Sequence, residues 1–420
     1  MTPTQARALV RRDRSGDGPS VIFKIWTDFE LEPLIDRSAP TVKVDAAQAS
    51  FAARGSGIVW AVIDSGIDGT HPHFRDLEIG REATAPANAA PATGTTAGLH
   101  RDFTHLVSPN QPTDEVPDPL VDVLGHGTHV AGIIAGRRPD DPGDVQVASS
   151  DEPLDGAGFV PRTKTGLIQG MAPECELVSL KVFRQVDGAW KTSCAAVMAA
   201  LEYLRTEVNS ASGVTRVHGV NLSLGCDWDP EHYAAGQSPL CQLINRLVDS
   251  GVVVVVSAGN SGRAQSQSEA TVSVAVLGSI TEPGHAEDCI TVGSTHRDAP
   301  HTFGISWTSS KGPTLDGRRK PDIVAPGEWI TSAATGTVRT RAGLPDPAPS
   351  VATYAEQSGT SMAAPHVSGV IAGFLSARPE YIGRPREVKR FVMETAVDLG
   401  REQPAQGAGL VDAMRMLTDC

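Results

Sequence analysis

The stretch GIVWAVIDSG, residues 57–66, decides the fold. Its centre, Ile58 to Ile63, is apolar without a break and rich in β-branched side chains, and it stops at Asp64-Ser65-Gly66. A short apolar run closed by turn-forming residues reads as a strand buried on both faces. The same pattern returns in CELVSLKVF (175–183), VHGVNLSLG (217–225), VVVVVSAGN (252–260) and DCITVGST (288–295). Between these lie segments with helical spacing: GTHVAGIIAG (127–136), SCAAVMAALEYLRTEV (193–208) and SPLCQLINRLVDSG (238–251). Strands and helices in alternation predict a three-layer α/β domain, a mostly parallel central sheet with helices on both faces. Ligands of such sheets gather at the carboxyl ends of the strands. Asp64 and Asn260 are expected there.

The bulk numbers narrow the function. With 40% hydrophobic and 20% charged residues in 420, the chain has the composition of a globular protein with a sizeable core. A formal charge of −13 opposes a nucleic-acid partner held through phosphates, and equally a docking site on anionic lipid. The basic clusters RRDR (11–14) and GRRK (317–320) are short and read as solvated loops. The longest strongly apolar run, GVVVVVSAG (251–259), falls well below the ~20 residues of a membrane-spanning helix. The first 20 residues lack the apolar core of a secretory signal, so a cytoplasmic location is expected. Six cysteines without CxxC spacing disfavour a zinc site or a disulfide framework and predict reduced thiols. Cys226 and Cys241, flanking one loop, are the pair to watch.

Residues 1–44 read as an N-terminal extension and 45–420 as one domain, with surface insertions at 82–98, 137–166 and 333–350.

Four polar residues bracketed by glycine or small residues stand out: Asp64 in VIDSG, His126 in GHGTHVAG, Asn260 in SAGN and Ser361 in GTSMAAP. Singly, each is an ordinary turn or capping residue. Together they hold the parts of acyl transfer. A serine hydroxyl needs a base to become a nucleophile, and an imidazole titrates in the right range to be that base. A carboxylate fixes the imidazole tautomer, and an amide N–H can donate to the oxyanion of the tetrahedral intermediate.

The motifs resemble those of the subtilisin-like serine proteases, the subtilases. AVIDSGIDGTHPHF (61–74) is similar to the family's aspartate motif, GHGTHVAGIIAG (125–136) to its histidine motif and GTSMAAPHVSGVIAG (359–373) to its serine motif. GMAPECELVSLKVF, VNLSLG, SAGN and SSKGPTLDGRRKPDIVAPG match in order between them, and the likeness covers roughly residues 45–415. The resemblance implies a serine endopeptidase acting on extended polypeptide, with Ser361 as nucleophile, His126 as general base and acid, Asp64 as its orienting carboxylate and Asn260 as oxyanion donor. It implies further that Ser223, Leu224 and Gly225 form the edge that pairs with substrate. No cofactor is required for catalysis and no metal ligand is expected.

Two departures matter. Secreted members often place a calcium-binding aspartate just after the HP of the first motif; here that position is His73, a poor ligand for an oxygen-seeking cation. The acidic segment containing Asp140, Asp141, Asp144, Asp151, Glu152 and Asp155 is either a calcium site or a solvated loop. The N-terminal extension is too short for a folded prodomain. Its stretch 21–38, VIFKIWTDFELEPLIDRS, resembles the short plug of intracellular subtilisins, so residues 31–35 either inhibit in cis or form an edge strand. His126 and His129, three apart, are a rival metal pair, yet the glutamate of HExxH is missing. His366 is expected to point away from Ser361. The alternatives to proteolysis are a catalytically silent peptide-binding scaffold, or an esterase or peptide ligase using the same triad.

Overall fold

Seven strands, all paired in parallel, make the central sheet: β1 (Val59–Asp64), β2 (Arg101–Asp102), β3 (Glu176–Lys181), β4 (Gly219–Leu222), β5 (Val253–Ser257), β6 (Ile290–Thr295) and β7 (Ile323–Pro326). Their spatial order is β7-β6-β5-β4-β1-β3-β2, so the chain works outward in both directions from β1. The structure is a computed structural model. It describes residues 38–77, 79, 96, 98–111, 117–138, 145–150, 158–164, 168–210, 215–227, 231–266, 272–344 and 351–419, together with 9, 12 and 13.

The chain divides into two compact units, 1–34 and 35–420, and the second holds the sheet. Its boundary lies earlier than the expected residue 45, because residues 38–44 belong to the core. Val42 and Val44 are buried, and the Ala413 N–H donates to the Val42 carbonyl at 2.9 Å. The stretch 21–37, with the plug residues 31–35, lies outside the described residues.

The principal helices are α1 (Val44–Phe51), α2 (His126–Ile134), α3 (Cys194–Tyr203), α4 (Pro239–Asp249), α5 (Thr360–Ala377), α6 (Pro385–Glu394) and α7 (Ala413–Thr418). They cover the sheet on both faces, and the alternation of β1 shows how. Trp60 and Val62 enter the layer built with α2 and α5, whereas Val59, Ala61 and Ile63 enter the layer built with α3 and α4. A strand with apolar layers on both sides must be apolar at every position. This is why GIVWAVID carries no polar residue before its last.

Helix α5 is buried along nearly its whole length, from Met362 to Leu375. That requires an apolar surface all round and small residues where neighbours press close. At Gly369 a Cβ would stand 2.5 Å from the Met171 Cβ, closer than real Cβ atoms approach, and a tight 3.1 Å from the Ile134 carbonyl. The small-residue run is therefore what seats this helix, and with it Ser361, against the sheet.

Parts of the expected insertions are regular structure. Val145–Ser150 and Phe159–Lys164 pair antiparallel, and the first of them also runs parallel to Tyr354–Gln357, which pairs antiparallel with Ile330–Ala333. These four strands form a second sheet. Gly336–Arg341 is a short helix. Polar composition hid these strands, because one face of such a sheet tolerates water. Residues 82–95 lie outside the described residues.

Nor is GRRK a solvated loop. Lys320 is buried, its ammonium donating to Asp322 Oδ2 (2.7 Å), Thr291 Oγ1 (2.8 Å) and the Cys289 carbonyl (3.1 Å). Arg318 donates to Asp316 and to the His285 carbonyl. Thr291 and the Cys289 carbonyl, 29 and 31 residues away in sequence, are partners that the charge run itself does not show.

Gly369→Val is expected to lower stability by about 1–3 kcal/mol through overpacking, read from denaturant unfolding. An unchanged midpoint would mean that α5 is not held at this distance.

Candidate active site

Asp64 ends β1 and is fully buried. Its Oδ1 accepts two hydrogen bonds of 2.8 Å, one from the Ser65 N–H and one from the His126 Nδ1–H. His126 is the first residue of α2, with 23% of its side chain exposed. Two glycines allow this meeting. Gly125, at φ 89°, turns the chain into the helix in the left-handed region that favours glycine. At Gly127 a Cβ would collide with the Gly66 carbonyl, so the first turn of α2 rests directly on the turn after β1.

Behind this pair stands a carboxylate that the sequence reading missed. Asp122 is buried and accepts from the Ser65 hydroxyl (2.9 Å), the Gly125 N–H (2.7 Å), the Thr128 N–H (2.8 Å) and the Thr128 hydroxyl (2.7 Å). Ser65 Oγ in turn accepts from the Gly127 N–H at 2.9 Å. A negative group gathering N–H donors at a helix start is favourable. The only hint in the sequence was an aspartate four residues ahead of His126. Burial pushes the Asp122 carboxyl up, against the hydrogen bonds from Gly125 and Thr128. For His126, burial opposes the imidazolium, but the Asp64 charge and hydrogen bond, with Asp122 behind, hold it above the ordinary 6.5.

Ser361 is the second residue of α5 and Asn260 follows β5 by three positions. The Asn260 Oδ1 accepts from the Thr360 N–H (3.0 Å) and hydroxyl (3.2 Å). That fixes the amide, so its Nδ2 is the group left for a ligand. In the first turn of a helix the N–H groups have no partner a turn back. The Thr360 N–H is taken by Asn260, and that of Ser361 follows it.

Pro365 has a part in this arrangement. Lacking an N–H, it cannot bond the Ser361 carbonyl four residues back. That carbonyl instead accepts from the Ser223 hydroxyl at 2.8 Å. Ser223 Oγ accepts from Asn221 Nδ2 (2.9 Å), whose Oδ1 accepts from the Ser368 hydroxyl (2.9 Å). A buried polar chain thus ties the helix start to the end of β4. The Ser361 hydroxyl itself donates to the Ser223 carbonyl at 3.2 Å. No hydrogen bond to His126 is formed in this conformation.

His126, Asn260, Ser361, Ser223, Leu224 and Gly225 all line one cleft of about 520 Å³, with Asp64 behind His126. Thr281 lines it too. An acidic residue, not foreseen in the sequence, also faces it: Asp227, exposed at the cleft.

Three other histidines considered in the sequence have structural roles. His129 is buried and bonds the Ala355 carbonyl through Nε2 at 3.0 Å, and burial pushes it down to about 3. His366 bonds the Met362 carbonyl and Ser38 Oγ, both at 2.8 Å, away from Ser361. At the calcium position, His73 is buried between Tyr354 Oη and the Gly132 carbonyl, each 3.2 Å from a ring nitrogen. Burial lowers it to about 3, and a neutral ring with both nitrogens engaged does not fit a hard cation. Asp140, Asp141, Asp144, Asp151, Glu152 and Asp155 lie outside the described residues. Among the described residues, no group of three or more His, Cys, Asp or Glu could hold a metal.

With this geometry in view, comparison with known proteins is informative. The subtilase family model matches residues 55–410. The chain belongs to the subtilase family, whose members are serine endopeptidases that need no cofactor for catalysis. It is 30% identical to serine protease AprX of Bacillus subtilis (strain 168) over 415 residues, covering 94% of this chain and 74% of that protein. It is 27% identical to subtilisin Savinase of Lederbergia lenta, covering 86% and 90%. To subtilisin-like protease PopC of Myxococcus xanthus (strain DK1622) it is 26% identical, over 83% of this chain and 57% of that protein.

Two measurements check the site. In Asp64→Asn the larger raising charge is gone while burial, the largest influence, remains against Asp122 alone, so the His126 ring, followed by NMR, should titrate below 6.5 rather than above it. Asp122→Ala strands four buried donors and should cost at least ~2 kcal/mol in denaturant unfolding.

Proposed function

We propose that the chain cuts extended polypeptides through an acyl-enzyme, using Asp64, His126 and Ser361 as its triad. The observation that carries this reading is the Asp64–His126 hydrogen bond of 2.8 Å opening onto the same cleft as Ser361. Rotation of the Ser361 hydroxyl from the Ser223 carbonyl to His126 Nε2 sets up the reaction. His126 takes the proton as Ser361 Oγ attacks the scissile carbonyl, and Asp64 stabilises the imidazolium that results. The Asn260 Nδ2 and the Ser361 N–H donate to the oxyanion. His126 then protonates the leaving amine, and water repeats the sequence to free the acid. Ser223–Gly225, at the exit of β4, offers an extended edge for the substrate backbone.

Two further parts of the reading concern setting. Buried, unbridged Cys175, Cys241 and Cys289 fit a reducing compartment, which supports a cytoplasmic location. Residues 31–35 act as an inhibitory segment in cis. Deleting residues 1–36, which spares the Ser38–His366 bond, should raise peptidase activity; equal activity would remove the inhibitory role.

The decisive experiment compares new peptide N-termini released from a proteome by the wild type and by Ser361→Ala. The wild type should generate them and the variant should not. Equal release, or none from either, would favour a silent scaffold, while turnover of esters without amides would favour an esterase. Asn260→Ala should lower kcat by ~10²–10³, the size known for such an amide in a subtilisin and not a value derived from this structure.

A further inference from the structure

The cleft carries one charge that the catalytic steps do not use. His126 apart, Asp227 is the only acidic or basic side chain among the described residues that line it. Its place follows from the chain around it. Cys226 and Glu282 form an antiparallel bridge, exchanging backbone hydrogen bonds of 2.9 Å and 3.0 Å. One step along, Asp227 stands across from Thr281, and side chains that face each other across such a pair share a face. Glu282, on the opposite face, turns inward, its Oε1 3.7 Å from the buried Cys241 Sγ. Asp227 and Thr281 both line the cleft, in keeping with that register.

Thr281 locates this face relative to the reacting groups. A Cβ on Gly225 would stand 2.6 Å from Thr281 Oγ1, and one on Gly259 would stand 2.4 Å from it. Thr281 is thus wedged between the Ser223–Gly225 edge and the residue before Asn260. A substrate whose scissile carbonyl meets the Asn260 amide would carry the side chain of that residue past Gly225 and Thr281, towards Asp227.

We infer that Asp227 is a specificity-determining residue that selects a cationic side chain, Lys or Arg, at the substrate residue supplying the scissile carbonyl. The inference rests on the proposed function and names a substrate class for it.

The chemistry of the contact fits. Thr281 narrows this part of the cleft, which suits an unbranched stem. Lys and Arg lay such a stem along apolar surface and keep the charged head in water. Asp227 is exposed, and among the described residues no Lys or Arg pairs with it. Its carboxylate is therefore open to a ligand's cation, and neither partner has to be stripped of water. An ion pair in water is weak and screened by salt, so a preference of severalfold is expected. A glutamate at the same substrate position meets a like charge and is disfavoured. The formal charge of −13 draws basic segments from further away.

The test uses the full chain and a peptide series identical except at that residue, which is Lys, Arg, norleucine or Glu. Norleucine keeps most of the lysine stem without its charge. The wild type should show kcat/KM about fivefold higher for Lys or Arg than for norleucine, and lower again for Glu, with the ratios shrinking as salt is added. Asp227→Asn should bring the Lys-to-norleucine ratio to about one, Asp227→Glu should retain the preference, and Asp227→Lys should turn it towards Glu. Mapping the products checks that the varied residue supplies the new C-terminus. Binding of the same series to Ser361→Ala, followed by fluorescence anisotropy, gives the preference without turnover. No discrimination in either rate or binding, a preference unchanged in Asp227→Asn, or a preference at another substrate position would overturn the inference. Absence of cleavage, with a charge preference in binding that Asp227→Asn removes, would sink the peptidase reading while supporting Asp227 as the selecting residue.

Discussion

The hydrogen bond between His126 and Asp64 is the contact on which the site depends, and the fold makes it at a helix–strand junction. A carboxylate at the buried end of β1 costs free energy unless it finds donors. The Ser65 N–H and the His126 ring supply them. In return, the imidazole is held in one tautomer, with its other nitrogen turned to the cleft. Asp122 locks both sides of the junction, since Ser65 and the first turn of α2 converge on it.

The second half of the site arrives on α5, and there too a polar constraint works inside an apolar frame. A helix buried on all sides cannot hydrogen-bond its end groups to water. Its start is satisfied instead by Asn260 and by the chain Ser368–Asn221–Ser223, which reaches the carbonyl that Pro365 leaves open. The residues that look catalytic and those that look structural are therefore one network. Ser223 and Asn221 thus bear on the backbone that carries Ser361.

Much of this was legible beforehand. Continuous apolar runs reported the two-faced burial of β1, β3, β4, β5 and β6, because a strand between two layers has no polar face to display. The motifs around Asp64, His126 and Ser361 were legible because each sits in a turn whose glycines are fixed by close approach or a positive φ. What escaped notice depends on partners distant in sequence. β2 and β7 are too short, or too rich in proline, to show a period. The strand pair 145–150 and 159–164 hides in polar composition. Asp122 and the burial of Lys320 depend on neighbours that only folding supplies. His73 was read as a weak calcium ligand from its residue type alone; its pairing with Tyr354 and Gly132 could not be foreseen.

In the proposed mechanism Ser361 is an activated nucleophile because His126, oriented by Asp64, takes its proton. Labelling of the intact protein by a fluorophosphonate, followed by peptide mapping across pH, tests this most directly. The account predicts one adduct, on Ser361, forming faster as pH rises through an ionisation above 6.5, and lost in His126→Ala. An adduct elsewhere, or a rate on Ser361 indifferent to His126, would contradict it.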